Sequence, residues 1–405
     1  MTDHAQLPAT PGRMDLPLLG RTLLKSAQDI AEGELIVRFK GGAEKRITAA
    51  CEGARAILDI TRGRMFRRTL FGGEIGLAEA YLDGDWTSPD LASVFEFGAR
   101  NMDRLMGSLE GLAIFRLANM LRHKMRDNTQ SGSKRNIAAH YDLGNAFYEQ
   151  WLDQTMTYSS ALFESPEQSL EEAQRAKWRK LAEMLELTEG QHVLEIGCGW
   201  GGFAIFAAEN YGCKVTGITL SREQLAHARA EVAKRQLSHL IDIRFEDYRD
   251  VQGQYDAIAS IEMFEAVGEE HWPEYFNVVR ERLKSGGRAG LQIITVADSR
   301  FENYRKEADF IQLYIFPGGM LPSPSALKRE ATSQGLGIET VRTFRLSYAE
   351  TLRRWRERFD ARWQSIAPLG FDERFKRMWQ YYLASCEGSF RAGSIDVGQF
   401  LLTRP

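Results

Sequence analysis

The sequence predicts an α/β protein: a parallel sheet covered by helices on both faces, preceded by a smaller N-terminal domain of mixed α/β structure. The chain has 405 residues, which is too long for one ordinary domain. After residue 170, short apolar strands alternate with helical segments, as in sheets that helices cover on both faces. A polar, turn-rich run, DNTQSGSKRN, separates this pattern from the chain before it.

The N-terminal domain is predicted to span residues 1–126 and the linker residues 127–136. Within the domain, Glu34 to Phe39 reads as a strand, which a Gly41-Gly42 turn connects to a second short strand. Residues 103–126 have the apolar spacing of a helix.

Residues 104–135 carry seven basic residues and two acidic ones, although the whole chain is slightly acidic. The basic helix is expected either to dock on anionic lipid headgroups or to pack between the domains, and both alternatives stay open. The N-terminal domain is expected either to take part in lipid delivery at the membrane or to form the contact of a homodimer.

The second domain, residues 137–405, contains the strand and helix alternation that defines the predicted sheet. Each strand is short and apolar, and each helix begins within a few residues of the preceding strand. The predicted helices are 171–185, 202–210 and 221–235, and the predicted strands are 193–196, 214–218, 241–245, 256–261 and 288–295.

Composition excludes several classes of protein. Hydrophobic residues make up 43% of the chain and charged residues 26%, which is the balance of a folded protein. A net charge of -3 offers no global attraction for nucleic acid, so no nucleic-acid partner is expected. The four cysteines form no CxxC pair and no metal site is predicted. Without a signal pattern, the expected location is the cytoplasm.

The strongest motif is VLEIGCGWGG, residues 193 to 202, where a strand ends in a glycine-rich turn that opens a helix. Gly197, Gly199 and Gly201 would let the backbone approach a ligand closely. Their G-x-G-x-G spacing differs from the dinucleotide fingerprint G-x-G-x-x-G. Glu195 lies at the strand end, where nucleotide-like ligands bind in such sheets.

Polar and aromatic residues also follow the next two strands. Thr219 and Leu220 end the second strand, and Gln224 lies one turn into the following helix. After the third strand, Asp247 could accept a hydrogen bond from an exocyclic amine, and Tyr248 could lie on a purine face. Each residue alone is a weak signal, but three successive strand ends with such groups predict a nucleotide-like cofactor.

This arrangement resembles a class I S-adenosylmethionine-dependent methyltransferase with a Rossmann-like sheet. Four further segments resemble the cyclopropane-fatty-acyl-phospholipid synthase family more narrowly, from about residue 130 to the end of the chain. They are AAHYDLGNAFYEQWLDQTMTYSSALF (138–163), SIEMFEAVGEEHW (260–272), LYIFPGGMLPS (313–323) and GSFRAGSIDVGQFLLTRP (388–405).

The resemblance assigns site residues and two cofactors, S-adenosylmethionine and bicarbonate. In this family, a bicarbonate ion beside the alkene is thought to take the departing proton. Ser160 stands where many members have Cys, and Gln292 where many have His. Gln can donate a hydrogen bond as His does, but it cannot carry the charge. The implied cofactor contacts are Tyr158, Ser159, Gly197, Gly199, Thr219, Leu220, Gln224, Asp247 and Tyr248, and the implied bicarbonate pocket is Ser160, Glu265, Gln292, Ile294 and Tyr314.

The chemistry implied by the resemblance demands a dry, aromatic site. Methyl transfer to an isolated alkene creates a carbocation, which aromatic faces stabilise. Proton loss from the new methyl group then closes a cyclopropane ring and requires a nearby base. The aromatic candidates are Tyr141, Phe147, Tyr158, Phe264, Tyr314 and Phe316.

The expected function is methylenation of cis double bonds in unsaturated phospholipids, at the inner face of the membrane with which the protein associates peripherally. One alternative is methyl transfer without ring closure, giving a methyl-branched or methyl-alkenyl chain. An alternative of another class is a lipid-binding protein that keeps the methyltransferase fold without catalysis.

Overall fold

The computed structural model describes residue 24 and residues 27–107, 143–306 and 308–405. The chain divides into two compact units, residues 1–115 and residues 116–405. The predicted linker at 127–136 and most of the basic helix predicted at 103–126 lie outside the described residues, as does Tyr141.

The first unit contains a four-stranded sheet of β1 (Glu32–Phe39), β2 (Glu44–Thr48), β3 (Cys51–Ile60) and β4 (Trp86–Thr87), in the order β2-β1-β3-β4. β1 pairs antiparallel with β2 and parallel with β3, so the strand, turn and strand predicted from Glu34 onward are confirmed. The unit has mixed α/β structure, and only the first residues of the helix predicted at 103–126 are described. Its helices are α1 (Arg64–Leu82), α2 (Leu91–Arg100) and α3 (Met102–Gly107).

The second unit is built on a seven-stranded sheet of order β10-β11-β9-β8-β5-β6-β7. Four of the predicted strands are observed within one residue at each end, whereas β9 begins earlier than predicted and runs through a Gly286-Gly287 bulge. The strands are β5 (His192–Ile196), β6 (Lys214–Thr219), β7 (Ile241–Phe245), β8 (Tyr255–Ile261), β9 (Leu283–Val296), β10 (Gly337–Thr343) and β11 (Ile395–Thr403).

The sheet is mixed, which the sequence prediction of a parallel sheet missed. β5 to β9 pair in parallel, but β11 pairs antiparallel with both β9 and β10. The alternation of short strands and helices ends before residue 337, so its pattern carried no information about these two strands. β11 directly follows a long helix that ends at Gly393 in the left-handed conformation.

Helices cover both faces of this sheet, as predicted. Val193 and Leu194 are successive residues of β5 and therefore point to opposite faces. Val193 packs in a cluster with α5 to α7, and Leu194 packs in a cluster with α8 and α10. The helices are α4 (Asn145–Tyr148), α5 (Leu170–Met184), α6 (Gly202–Tyr211), α7 (Arg222–Lys234), α8 (Trp272–Arg282), α9 (Asp298–Tyr304), α10 (Pro324–Ser333), α11 (Arg345–Ala361), α12 (Trp363–Ile366) and α13 (Glu373–Ala392).

Candidate active site

A cavity lies at the carboxyl ends of the parallel strands β5, β6, β7 and β8. Parallel strands end at one edge of a sheet, and ligands of doubly wound sheets bind outside that edge. Nine of the eleven predicted cofactor contacts line it: Tyr158, Ser159, Glu195, Gly197, Gly199, Thr219, Leu220, Gln224 and Tyr248. Gly201 and Asp247 do not.

The glycine loop turns the chain from β5 into α6. The N–H groups of Gly197 and Cys198 both donate to the Ile218 carbonyl, at 3.1 and 2.9 Å, which ties the loop to β6. Gly199 has φ +54°, and a Cβ atom added there would meet no atom within 4 Å, so the residue presents bare backbone to open space. Gly201 instead faces α7, because its added Cβ would lie 3.2 Å from the Cβ of Ala228.

Glu195 is a buried carboxylate at the edge of the cavity. Its Oε2 atom has no hydrogen-bond partner among the described residues. Burial raises the pKa of Glu195 to about 8, although a backbone hydrogen bond from Ala204 and the charge of Lys177 favour the ionised form. The unpartnered oxygen is an acceptor available to a bound cofactor, so the donor set fits a nucleotide-like molecule.

Glu195→Gln is expected to make the ligand-free protein more heat-resistant at pH 9 and to change its thermal stability little at pH 5. The pKa of Glu195 is about 8 in the folded protein, whereas the ordinary value of a glutamate side chain is 4.5. Stability therefore falls as pH rises from the lower value through the higher one, by about 1.4 kcal/mol per unit of difference. Glutamine does not ionise and removes this loss.

Melting temperatures of both proteins between pH 5 and pH 9 provide the measurement. Glu186→Gln is a matched control, because the Glu186 side chain is 66% exposed. A Glu195→Gln curve parallel to the wild-type curve at every pH would show that the pKa of Glu195 is not raised.

The end of β6 contributes a chain of hydrogen bonds to the cavity wall. The Thr219 hydroxyl donates to Gln224 Oε1 at 2.7 Å and accepts from the Ser221 N–H at 3.1 Å. Ser221 also caps α7 by accepting from the Gln224 N–H at 3.3 Å. These contacts fix Gln224 against the strand end, with Leu220 beside it in the cavity wall.

The end of β7 differs from the expectation. The Asp247 carboxylate accepts two hydrogen bonds from the Arg249 guanidinium, at 2.9 and 2.8 Å, and one from the Arg249 N–H at 3.1 Å. It does not line the cavity. Glu246 lines the cavity in its place, together with Tyr248. The sequence reasoning missed Glu246, because which of two adjacent acids lines the cavity depends on side-chain geometry. The cofactor role of Asp247 stays a prediction.

The five residues of the implied bicarbonate pocket, which are the predicted catalytic residues, do not line the cavity. Four of them form two hydrogen-bonded pairs beside it. Gln292 Nε2 donates to the Ser160 carbonyl at 3.3 Å. The Ile294 N–H donates to Glu265 Oε1 at 2.5 Å. Tyr314 lies on a π-helix, Ile311–Ile315, where its ring stacks on Phe310 with centroids 5.1 Å apart.

Glu265 is a partly buried carboxyl group with one unused oxygen. Its Oε2 atom is buried and has no hydrogen-bond partner among the described residues. Burial raises the pKa of Glu265 to about 8, the nearby Glu262 raises it further, and the Ile294 hydrogen bond opposes the shift. Glu265 is therefore largely protonated at neutral pH.

Glu262 is a further site residue that the sequence reasoning missed. It lines the cavity and also contacts the first pair: Glu262 Oε1 accepts from the Ser160 N–H and from Gln292 Nε2, both at 2.8 Å. Glu262 Oε2 accepts from the Tyr348 hydroxyl at 2.6 Å. The signal available in the sequence was its place directly after the apolar strand β8.

Lys177 is a second buried charge that sequence reasoning missed. Its Nζ atom donates to the Ser159 hydroxyl at 2.6 Å. Burial lowers the pKa of Lys177 to about 7, while the carboxylates of Glu262, Asp153 and Glu195 oppose that shift. The charge of Lys177 therefore interacts with two carboxyl groups of the cavity wall, Glu262 and Glu195.

The predicted aromatic candidates separate into one cavity residue and several core residues. Tyr158 lines the cavity, and its ring lies 5.5 Å from Trp151 and 5.3 Å from Trp355. Phe147 and Phe264 are buried in ring clusters away from the lining. Phe316 packs 6.0 Å from Tyr382.

Within the described residues, no three His, Cys, Asp or Glu side chains are grouped so that they could hold a metal ion. The same part of the chain has no helix that is both long and apolar enough to cross a membrane.

Comparison with known proteins identifies the family. The family model described as mycolic acid cyclopropane synthetase matches residues 128–400. Tuberculostearic acid methyltransferase UfaA1 of Mycobacterium tuberculosis is 43% identical over 342 residues, 82% of this chain and 79% of its own. Cyclopropane-fatty-acyl-phospholipid synthase of Escherichia coli K12 is 36% identical over 365 residues, 87% of this chain and 88% of its own.

A solved structure is similar to this chain in both fold and sequence. Mycolic acid cyclopropane synthase CmaA1, complexed with SAH and CTAB, superposes with a TM-score of 0.63 at 32% identity, covering 67% of this chain and 98% of its own. The predicted class I methyltransferase fold is therefore confirmed. The chain belongs to the mycolic acid cyclopropane synthetase family and is an S-adenosylmethionine-dependent methyltransferase of lipid synthesis.

Proposed function

We propose that this enzyme transfers a methyl group to the cis double bond of an unsaturated phospholipid acyl chain, and that proton loss then closes a cyclopropane ring. The observation that carries the proposal is the cavity itself, which has the glycine loop on one wall and the carboxylate of Glu262 on another. The similarity to the Escherichia coli cyclopropane-fatty-acyl-phospholipid synthase, which extends over 87% of this chain, supports the choice of lipid.

The chain's own residues divide the task between binding and cation stabilisation. Gly199, Gln224 and Glu195 would hold S-adenosylmethionine, which supplies an electrophilic methyl group when bound. The π electrons of the alkene would form the new C–C bond while the methyl–sulfur bond breaks and its electron pair leaves with the sulfur, and the positive charge would move to the neighbouring chain carbon. The ring of Tyr158, held by two tryptophans, offers an aromatic face to that charge.

The substrate is proposed to be reached at the membrane surface, on its inner face. Residues 104–135 carry the excess of basic residues, and each basic group near an anionic surface contributes about 1 kcal/mol. We also propose that the N-terminal domain either takes part in lipid delivery or forms the contact of a homodimer.

Incubation with S-adenosylmethionine and vesicles of monounsaturated phosphatidylglycerol tests this function. We expect one S-adenosylhomocysteine per methylated chain, a chain heavier by CH2, and cyclopropane proton signals by NMR. Fully saturated vesicles serve as the control and are expected to give no product. Absence of S-adenosylhomocysteine with the unsaturated lipid would overturn the proposal.

A second candidate is methyl transfer without ring closure. Two observations favour it: the relative at 43% identity is named a methyltransferase rather than a cyclopropane synthase, and Gln292 stands where a histidine is common in the family. The same NMR spectrum separates the two products, because a methyl-alkenyl chain retains vinylic protons and shows no cyclopropane signals.

A further inference from the structure

We propose that Glu262 is the base that takes the proton from the methylated acyl chain, so that the protein supplies its own carboxylate where the family resemblance implies a bicarbonate ion. This inference rests on the proposed methyl transfer to an alkene.

Three donors from separate parts of the chain converge on the Glu262 carboxylate. The Ser160 N–H and the Gln292 amide reach Oε1 at 2.8 Å, and the Tyr348 hydroxyl reaches Oε2 at 2.6 Å. A carboxylate has about four lone-pair sites, so three donors leave one for a group in the cavity that Glu262 lines. The carboxylate is thus fixed in position and still accessible from the cavity.

The backbone of Glu262 is held in an unfavourable conformation. Its φ of +50° lies in the left-handed region, which costs a non-glycine residue on the order of 1–3 kcal/mol. The Glu262 N–H donates to the carbonyl of Gln292, a residue of β9, at 2.8 Å. This bond ties the backbone of Glu262 to the neighbouring strand. Strain of this kind persists only where the surroundings over-determine it, and it is concentrated at functional sites.

Three of the residues assigned to bicarbonate by resemblance already donate to protein carboxyl groups. Ser160 and Gln292 bond to Glu262, and the Ile294 N–H bonds to Glu265. A bicarbonate ion at these donors would have to displace a protein carboxyl group from its hydrogen bonds. These residues therefore do not fit bicarbonate in this arrangement, whereas the Glu262 carboxylate presents the same pair of acceptor oxygens.

The proton transfer balances without any further reactant. After methyl transfer, the cationic chain loses a proton from the new methyl group to Glu262, and the electrons of that C–H bond close the ring. If the proton leaves a chain carbon instead, the same electrons form a double bond. Glu262 becomes a neutral acid and returns its proton to water. Burial, which raises the pKa of Glu262, makes its carboxylate a stronger base than a solvated one.

Glu262→Gly tests the inference without threatening the fold, because glycine accepts the left-handed conformation. In carbonate-free buffer, we expect wild-type turnover on unsaturated vesicles to persist and the variant's turnover to fall by about a hundredfold or more. S-Adenosylmethionine affinity, measured by calorimetry, should change by no more than a few-fold. Added formate or bicarbonate should fill the vacated donors and restore part of the turnover.

Glu186→Gly is the matched control, because Glu186 also has a positive φ, of 53°, but is exposed. It is expected to behave as wild type. The inference is overturned if wild-type turnover collapses without bicarbonate, if Glu262→Gly stays near wild-type turnover, if it loses cofactor affinity in parallel, or if neither anion restores it. Failure of the wild type to make S-adenosylhomocysteine with bicarbonate present would instead overturn the proposed function.

Discussion

Gly199→Val is expected to abolish S-adenosylmethionine binding while the protein stays folded. Gly199 lines the cavity at φ +54°, and no atom lies within 4 Å of the position that a Cβ would take. The two methyl groups of valine would therefore stand in the space that the cofactor needs. The left-handed conformation is also unfavourable for a β-branched residue, which would distort the loop. We expect a loss of affinity of at least about a hundredfold, equivalent to about 2.7 kcal/mol.

Calorimetric titration with S-adenosylmethionine measures this loss, and circular dichroism reports whether the fold is intact. Gly335→Val is the matched control: Gly335 has φ +75°, meets nothing within 4 Å, and follows α10 away from the cavity lining. The control carries the same backbone strain and should bind the cofactor normally. Unchanged affinity in Gly199→Val would show that this turn is not the cofactor loop.

Glu265→Gln is expected to lower turnover by about a hundredfold or more, with cofactor affinity changed only a few-fold. Glutamine can still accept the hydrogen bond from the Ile294 N–H, but it cannot ionise. The charge of Glu262 contributes to the raised pKa of Glu265, so Glu265 keeps its proton beside the Glu262 carboxylate. The variant cannot exchange that proton with Glu262, whereas the cofactor cavity, which Glu265 does not line, is untouched.

Steady-state kinetics on unsaturated vesicles, combined with calorimetry, separate turnover from cofactor binding. Glu302→Gln is a suitable control, because the Glu302 side chain on α9 is 65% exposed. Near-normal turnover in Glu265→Gln would remove Glu265 from the catalytic residues. A parallel loss of cofactor affinity would move it to the binding site instead.

Local patterns in the sequence were sufficient to bring most of the predicted cofactor contacts to one cavity. The glycine loop, the apolar strands and the polar residues at their ends are features of short segments. In a parallel sheet, those segments necessarily meet at one edge. Nine of the eleven predicted contacts accordingly line the cavity.

The tertiary structure alone decided the hydrogen-bond partners of the carboxylates at the cavity. The donors to Glu262 lie 102, 30 and 86 residues away from it, and its left-handed backbone has no signature in residue type. Likewise, only side-chain geometry pairs Asp247 with Arg249 and leaves Glu246 at the cavity. Hydrogen bonds between distant segments depend on how elements pack, which periodicity and motif spacing do not encode. The sequence by itself therefore determined the fold class and the strand ends that line the cavity, whereas packing determined which carboxylates reach it.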